Sequence, residues 1–324
     1  MMRILLLSIL ILSGIMRLSF AAAGTAGAQF LKISPSAKPS ALGETATLTA
    51  GAQSITYNPA GISTVNNIDL SLSQVTWIQG LNYSNVAAAK RNGKHVFGFA
   101  FNYLSSPSID KFDNNGVNLG ETYSAADMAL TIGYGRKISS RTRIGSTVKY
   151  ISSRLESQTA SALATDAGIQ HTVIKETLDL GMVVQNMGTS MKFISASDPL
   201  PLTVKIGGKY NIPIKPSNNN TGMTFSKSAT TENSFSLFSD VNYTIDTGVF
   251  ANLGAEFLID YDKSAFALRG GYRTNVGSGI SFGMGWTGGM YCIDYAFAPL
   301  GELGQTHRIS LGVRFDNAAK NKKL

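Results

Sequence analysis

Residues 308–315 read Arg-Ile-Ser-Leu-Gly-Val-Arg-Phe, with apolar side chains at every second position from Ile309 to Phe315. Successive side chains of a β-strand point to opposite faces, so this alternation predicts a strand with one apolar face. The stretches 280–286 and 291–297 alternate in the same way. A helix would need apolar residues at a period near 3.6, which these stretches lack. The C-terminal part of the chain is therefore predicted to be β-sheet.

The same alternation continues towards the N-terminus and predicts about fourteen strands. We place them near 67–78, 81–91, 94–104, 123–136, 142–154, 160–173, 177–187, 201–211, 234–245, 249–259, 266–273, 280–286, 291–297 and 308–315. Several have about ten residues, the length that a tilted strand needs to cross a bilayer. An even number of strands returns the chain to its starting side, as in bacterial single-chain barrels.

The composition favours a membrane barrel over a soluble β-sandwich. Only 15% of the residues are charged, whereas soluble domains usually carry about 25%. The non-apolar strand faces are mostly Gly, Ser, Ala, Asn and Thr, which suits a lumen. Closure also removes sheet edges, which lipid does not tolerate. We predict an all-β protein, a transmembrane antiparallel β-barrel of about 14 strands at 67–315, in the outer membrane of a bacterium and in contact with its lipid.

The first residues are predicted to be a signal peptide. Arg3 precedes an apolar run at 4–16, and small residues follow at 21–24. This order is typical of secretory signals. The alternative, a single membrane anchor, would need about 20 apolar residues, and Arg17 interrupts the run too early. We predict a signal peptide at 1–23, cleaved after Ala23.

The connections between the predicted strands are alternately short and long. Tight turns are predicted at Asn92-Gly93, Ser139-Ser140, Asp262-Lys263 and Gly288-Gly289, on the periplasmic side. Longer outer connections are predicted at 105–122, 188–200 and 298–305. The polar insertion at 212–233 is an exception, because it is a long connection on the predicted periplasmic side. It is either an added segment or a sign that one strand is miscounted. Residues 316–324 are predicted to form a basic periplasmic tail.

The titratable and nucleophilic residues give no catalytic or metal pattern. The single cysteine, Cys292, excludes an internal disulfide and a cysteine-rich metal site. His95, His171 and His307 lie on separate predicted strands without ligand spacing, and no nucleophile elbow is present. We predict no enzyme activity and no cofactor. The net charge of +8 is spread along the chain, so we predict no nucleic-acid partner.

One motif resembles a known superfamily. Tyr57-Asn58-Pro59-Ala60-Gly61 follows a stretch of small residues and precedes the first predicted strand. This arrangement resembles the FadL-like outer-membrane proteins, whose N-terminal segment folds inside a fourteen-stranded barrel and ends in an Asn-Pro-Ala-Gly-type turn. The resemblance implies a plug segment at 24–66, with Asn58, Pro59, Ala60 and Gly61 as the plug turn.

Four further stretches resemble the PorV/PorQ branch of that superfamily. They are Val-Gln-Asn-Met-Gly at 184–188, Asp-Pro-Leu-Pro-Leu at 198–202, Asp-Val-Asn-Tyr at 240–243, and the long stretch 294–311. The acidic residues that commonly precede the turn in the family are missing from 47–53, so their role is not transferred. The strand ending at Phe315 resembles the signal read by the barrel-assembly machinery, which is an expected partner.

Charged residues on the predicted inner face are the candidate site residues. They are Asp127, Arg143, Lys149, Asp179, Lys205, Lys209, Asp240, Glu256, Arg269, Arg273, Asp294, Arg308 and Arg314. Mixed signs allow ion pairs that hold a plug to the wall, or they set solute selectivity. Cys292 is predicted to fill space beside Asp294. Trp77 and Trp286 are predicted to belong to the aromatic belts at the membrane interfaces.

Two functions follow from the resemblance. The first is a FadL-like channel or transporter for a small hydrophobic molecule, with Phe250 and Leu258 as apolar contacts in the lumen. The second is a PorV-like, non-transporting component of a type IX-like protein secretion and surface-attachment system, whose outer loops bind a secreted protein cargo. A purely structural barrel remains a third alternative.

Overall fold

The computed structural model describes residues 26–214, 233–261, 263–276 and 279–315. The predicted signal peptide at 1–23, the predicted tail at 316–324 and most of the predicted 212–233 insertion lie outside these residues. Strand β12 continues to Ile214 and strand β13 begins at Asn233, so the connection is shorter at both ends than the sequence suggested.

Eighteen strands are present in the described residues. In chain order they are β1 (Ile68–Thr76), β2 (Asn82–Asn92), β3 (His95–Ser105), β4 (Ile109–Phe112), β5 (Asn118–Tyr123), β6 (Ala125–Lys137), β7 (Thr142–Leu155), β8 (Gln158–Ile174), β9 (Leu178–Gly188), β10 (Met191–Lys192), β11 (Ser197–Asp198), β12 (Thr203–Ile214), β13 (Asn233–Thr244), β14 (Gly248–Tyr261), β15 (Ser264–Arg273), β16 (Ile280–Gly288), β17 (Tyr291–Pro299) and β18 (Gln305–Phe315).

The helical elements are short. One α-helix spans Ala37–Ala41, and 3-10 turns span Gln29–Lys32, Ala52–Thr56, Pro59–Thr64, Ile78–Gly80 and Gly301–Leu303. No helix in the described part of the chain is long and apolar enough to cross a membrane.

Fourteen of the strands form one closed antiparallel barrel, which confirms the predicted fold class. Each barrel strand pairs with its sequence neighbour among the fourteen, and β1 closes the ring against β18. The seam runs from the pair Ile68 and Phe315 to the pair Thr76 and His307. We name the first end the terminus end and the second the loop end. The hairpins β4–β5 and β10–β11 are separate small sheets.

The alternation of the sequence becomes the two faces of the barrel wall. Large apolar side chains on the outward positions are exposed, among them Leu72, Ile132, Val148, Leu268, Phe282 and Ile309. The inward positions are small or polar and are buried. An apolar outer face around a polar interior is the pattern of a barrel in an outer membrane, because the outer face meets lipid and the inner face does not.

Two tight turns are shifted by one residue from their predicted positions. Asn92 pairs with His95, which leaves Gly93 and Lys94 as the loop residues. In the same way Gly288 pairs with Tyr291, which leaves Gly289 and Met290 as the loop residues of the second turn. The first loop residue of each turn is a glycine with positive φ, 60° at Gly93 and 57° at Gly289. Glycine adopts positive φ without steric cost, so the glycine fixes where the turn begins.

The predicted outer connection at 105–122 contains an unpredicted element, the hairpin β4–β5.

The predicted position of Trp77 in a membrane-facing belt is wrong, because its side chain packs against a buried apolar cluster and faces the lumen. The guanidinium of Arg308 lies 5.1 Å from the centre of its ring. Trp77 therefore does not belong to a membrane-facing belt. Trp286 lies on the outward-facing positions of β16, near the terminus end.

Candidate functional site

Residues 26–67, which we name the N-terminal segment, are held against the inner wall of the barrel. The backbone N–H of Ala37 donates to Ser310 Oγ at 2.9 Å, and the N–H of Gly43 donates to Ser281 Oγ at 3.1 Å. Both serines occupy inward-facing positions of their strands. Side chains of the wall therefore accept hydrogen bonds from backbone N–H groups of the segment that have no partner in regular secondary structure.

The middle of the segment is bound by other strands of the wall, β13 and β8. The carboxylate of Asp240 accepts the backbone N–H groups of Ala46 and Thr47 at 2.7 and 3.0 Å. The side chain of Gln170 donates to the carbonyls of Thr47 and Thr49 at 3.1 and 3.0 Å. Two buried wall residues thus satisfy both the donors and the acceptors of this extended stretch.

The predicted plug turn, 58–61, is the most enclosed part of the segment. The Oδ1 atom of Asn58 accepts the N–H of Ala60 at 3.1 Å, and its Nδ2 donates to the carbonyl of Thr47 at 2.8 Å. The wall residue opposite is Gly168, where an added Cβ would overlap the Asn58 carboxamide. The turn is packed this closely because the wall carries glycine there. Whether the turn belongs to a moving plug stays a prediction.

The first ion pair of the segment lies at the loop end. The ammonium of Lys32 is 2.8 Å from Asp246, which lies in the connection between β13 and β14. Burial alone would raise the pKa of Asp246, but the hydrogen bonds from Lys32 and Gln29 outweigh it and leave the pKa below its ordinary value. Asp246 is therefore ionised at neutral pH and holds the start of the segment.

The second ion pair joins the segment to a buried charge network. Lys38 lies 2.9 Å from Glu256, and Arg269 donates to Glu256 at 2.7 Å and to Asp294 at 2.6 Å. The side chains of Glu256, Arg269 and Asp294 are each less than one-tenth exposed. A buried guanidinium between two carboxylates is stable only while both partners are present.

Glu44 forms the third charged link. Its carboxylate lies 2.8 Å from Arg273 and 3.6 Å from Arg308. Arg308 is almost fully buried and also donates from Nε to the carbonyl of Ser34 at 3.0 Å. One arginine of the last strand therefore binds the segment at two places.

All thirteen predicted lumen charges occupy inward-facing strand positions. Direct contacts within the lumen are made by Lys149, Asp179, Asp240, Glu256, Arg269, Arg273, Asp294, Arg308 and Arg314. Asp127, Arg143, Lys205 and Lys209 form no ion pair with a described residue. Their functional roles stay predictions. Cys292 donates to Asp294 at 3.4 Å, beside the Arg269 network.

Several charged residues of this interior were not predicted, among them the following four. Lys32, Lys38 and Glu44 lie on the N-terminal segment, where no strand alternation marks the inner face. Asp166 is fully buried and pairs with Lys149 at 2.8 Å. The alternation of small residues along 160–168 was a usable signal for Asp166.

Tyr57 joins two parts of the segment. Its hydroxyl is 2.7 Å from Ser34 Oγ and accepts the backbone N–H of Ser36 at 2.9 Å. Burial raises the pKa of Tyr57, and the hydrogen bonds with Ser34 and Ser36 oppose this only in part. The phenol therefore stays neutral and acts as a fixed cross-link inside the lumen.

Near the loop end, the inner wall formed by strands β1 to β3 and β6 to β8 is apolar. Phe30 of the segment is 2% exposed and meets the ring of Tyr83 edge-on at 6.4 Å between centroids. We name the group around it the loop-end apolar cluster, formed by Phe30, Val75, Tyr83, Leu104, Ala129, Ile151, Ala160, Ala162, Ala164, Met191 and Leu200. Several strands contribute to it, so it is a continuous apolar surface inside the barrel.

Cavities lie on both sides of the segment. The loop-end cavity, of about 200 Å³, is bordered by Glu44 and Phe250. A second cavity of about 160 Å³ is bordered by Thr45 and Phe238, and a third of about 230 Å³ lies near Asp69 at the terminus end. The backbone at 44–45 separates the first cavity from the second. Phe250 therefore borders lumen space, whereas Leu258 borders none of these three cavities.

The histidines lie on the outward face near the ends of the barrel. His95 is 2.7 Å from the hydroxyl of Tyr134, and His307 is 2.8 Å from that of Tyr295. Within the described ranges no group of three potential ligands could hold a metal ion. These histidine–tyrosine pairs resemble the aromatic anchors that barrels place at membrane interfaces.

No family model and no curated protein matches the chain. Solved structures do. The Ralstonia pickettii toluene transporter TbuX is 13% identical, with a TM-score of 0.54, over 89% of this chain and 99% of that one. The Pseudomonas putida toluene transporter TodX is 11% identical, with a TM-score of 0.52, over 91% and 97%.

The monoaromatic hydrocarbon channel CymD is 12% identical, with a TM-score of 0.53, over 87% of this chain and 98% of that one. This chain shares its barrel fold with these transporters and channels. At such identities the likeness concerns the fold alone. The interior described above belongs to this chain's own residues.

Proposed function

We propose that this FadL-like barrel is a channel for small hydrophobic molecules. The observation that carries the proposal is the loop-end apolar cluster, an apolar surface on the inside of the barrel wall. A large apolar surface inside a wall that could be lined with polar residues calls for an apolar occupant. Phe30 occupies that surface in this structure, and an incoming hydrophobic molecule would take its place.

The N-terminal segment would act as the plug of this channel. It lies between the loop-end cavity and the two cavities nearer the terminus end, so passage requires the stretch at 44–45 to move. The fold supports the proposal, since TbuX, TodX and CymD are described as transporters or channels for toluene or monoaromatic hydrocarbons.

The proposal is tested by uptake of labelled toluene into a Gram-negative host that produces the barrel, since lipopolysaccharide is the barrier that such a channel bypasses. We expect faster uptake than in the empty host. Val75→Asp places a charge in the apolar cluster and should slow uptake several-fold, whereas the near-isosteric Val75→Thr should slow it less. Uptake equal to that of the empty host, with folded barrel present in the membrane, would refute the proposal.

We also propose membership of the PorV/PorQ branch, supported by the four sequence stretches. Within those stretches, Asp240, Asp294 and Arg308 face inward and bind the segment or the Arg269 network. These residues serve the interior and offer no surface to a secreted cargo, so the resemblance favours a shared internal architecture over a secretion role. Co-purification of a secreted protein with the outer loops would reverse this preference.

A further inference from the structure

The loop-end cavity contains polar groups that no described residue satisfies. Asn242 borders this cavity and is 1% exposed, yet neither Nδ2 nor Oδ1 of its side chain has a hydrogen-bond partner among the described residues. The Oδ1 atom of Asn252, also on the cavity wall, is unpartnered as well. A buried amide without partners is unfavourable, so native proteins retain such a group for a reason.

A cation stands beside the unsatisfied amide. Lys205 faces Asn242 directly across the β12–β13 pair and borders the same cavity. It forms no hydrogen bond and no ion pair with any residue that the structure describes. Directly opposed residues of neighbouring strands have Cβ atoms about 4.5–5.5 Å apart, so both side chains can reach one ligand.

The nearby carboxylates are already engaged. Glu44 is paired with Arg273, and Asp240 accepts two backbone N–H groups of the segment. Both carboxylates lie close enough to act on the charge of Lys205, but neither approaches within ion-pair distance of it. The ammonium of Lys205 is therefore the charged donor that remains available in this cavity.

The other wall of the site is apolar. Phe250 lies next to Asn242 on strand β14, and Leu31 of the segment borders the same space. The volume of about 200 Å³ falls below the roughly 300–1,000 Å³ of pockets for drug-sized ligands. The occupant must therefore be compact, with one polar end and one apolar side.

We infer that the loop-end cavity is a binding site for a small organic carboxylate. Lys205 pairs with the carboxylate, Nδ2 of Asn242 donates to it, and Phe250 and Leu31 contact the apolar body. The site stands on its own residues and does not depend on whether the barrel conducts hydrocarbons. An uncharged hydrocarbon would leave the amide and the ammonium without partners.

Titration calorimetry of the detergent-solubilised barrel with benzoate tests the inference. We expect saturable binding at one site, with benzamide and benzylamine binding far more weakly. Lys205→Met should weaken benzoate binding by about 10- to 100-fold, as expected for loss of a charged hydrogen bond. The matched control Lys209→Met removes an inward-facing lysine of the same strand that borders the second cavity, and it should leave the affinity unchanged.

A second variant covers the case in which Lys205→Met fails to fold. Asn242→Asp keeps the shape of the side chain and adds a negative charge, so it should abolish benzoate binding and favour benzylamine. Absence of saturable benzoate binding to the wild type would overturn the inference, as would equal losses in the Lys205 and Lys209 variants. Because the assay is done in detergent, its failure is distinct from a failure of toluene uptake.

Discussion

The ammonium of Lys38 and the carboxylate of Glu256 lie 2.9 Å apart and join the N-terminal segment to strand β14. Lys38 lies on the short helix Ala37–Ala41, whereas Glu256 belongs to the barrel wall. The pair connects an element that could move to one that cannot. Its strength therefore bears on how firmly the segment is held.

Lys38→Met should loosen the segment without removing its apolar contacts, since methionine keeps most of the side-chain length. We expect more frequent openings in planar-bilayer conductance recordings and faster toluene uptake. The matched control is Lys111→Met, which removes a lysine paired with Glu121 and Glu156 at the exposed β4–β5 hairpin. Identical recordings for the wild type and Lys38→Met would show that this pair does not restrain the segment.

Arg269→Met should destabilise the barrel strongly, because it leaves Asp294 buried without its cation. Breaking a buried ion pair in this way costs about 3–5 kcal/mol. Urea unfolding in detergent, followed by tryptophan fluorescence, measures the loss. Adding Asp294→Asn to the variant should restore part of the stability. If Arg269→Met alone were as stable as the wild type, the Arg269 network would contribute nothing to the stability of the barrel.

Gly168→Ala should displace the turn at 58–61, because an added Cβ would overlap the Asn58 carboxamide. Overpacking of this kind costs about 1–3 kcal/mol. Gly270→Ala is the control, since a Cβ there meets no atom within 4 Å, and its effect should stay within about 0.5 kcal/mol. Equal midpoints of urea unfolding for the two variants would argue against close packing of the turn.

The link between Lys32 and Asp246 should depend on pH only under acid conditions. Burial disfavours the ionised form of Asp246, whereas the hydrogen bonds from Lys32 and Gln29 favour it. The net result is that the pKa of Asp246 in the folded protein is lowered from its ordinary 3.8. The stabilisation is therefore complete above that value and is lost as the pH falls through the lowered pKa. A nitroxide label at Ala28, in a Cys292→Ser background, should become mobile only below about pH 4.

Asp246→Asn should make the same label mobile at every pH. The matched control is Asp113→Asn. Asp113 also has a lowered pKa, caused by the backbone N–H groups of Val117 and Asn115, but it lies on the β4–β5 hairpin. Asp113→Asn should leave the pH dependence of the label's mobility unchanged. A shifted pH dependence in this variant would mean that the label senses general acid unfolding.

The wall of the barrel was predictable because lipid imposes a period of two on every strand. From Ile309 to Phe315 the two faces can be read directly, and the thirteen predicted charges occupy inward strand positions because the same alternation holds on the other strands. The position of the turn at Gly93 was missed by one residue, since the sequence Asn-Gly does not show which residue pairs with His95. Trp77 was assigned wrongly because it lies just beyond a strand, where alternation no longer indicates the face.

The interior was less predictable, because the N-terminal segment has no period to read. Its contacts join residues that are distant in sequence, such as Lys38 with Glu256 and Ala37 with Ser310. Alternation along one strand cannot reveal such partners. The unsatisfied Asn242 was equally hidden, since a polar residue on an inner face is ordinary until its lack of partners is seen.

Strand β1 closes the ring against β18, and Arg308 of β18 binds the carbonyl of Ser34. Strand β18, which binds the start of the N-terminal segment, is thus synthesised last among the barrel strands. The lumen therefore cannot reach its final packing until this strand has been inserted. A chain that stops short of Arg308 would lack both the seam and an anchor for the segment. Completion of the polypeptide and ordering of the interior are in this way one late event in biogenesis.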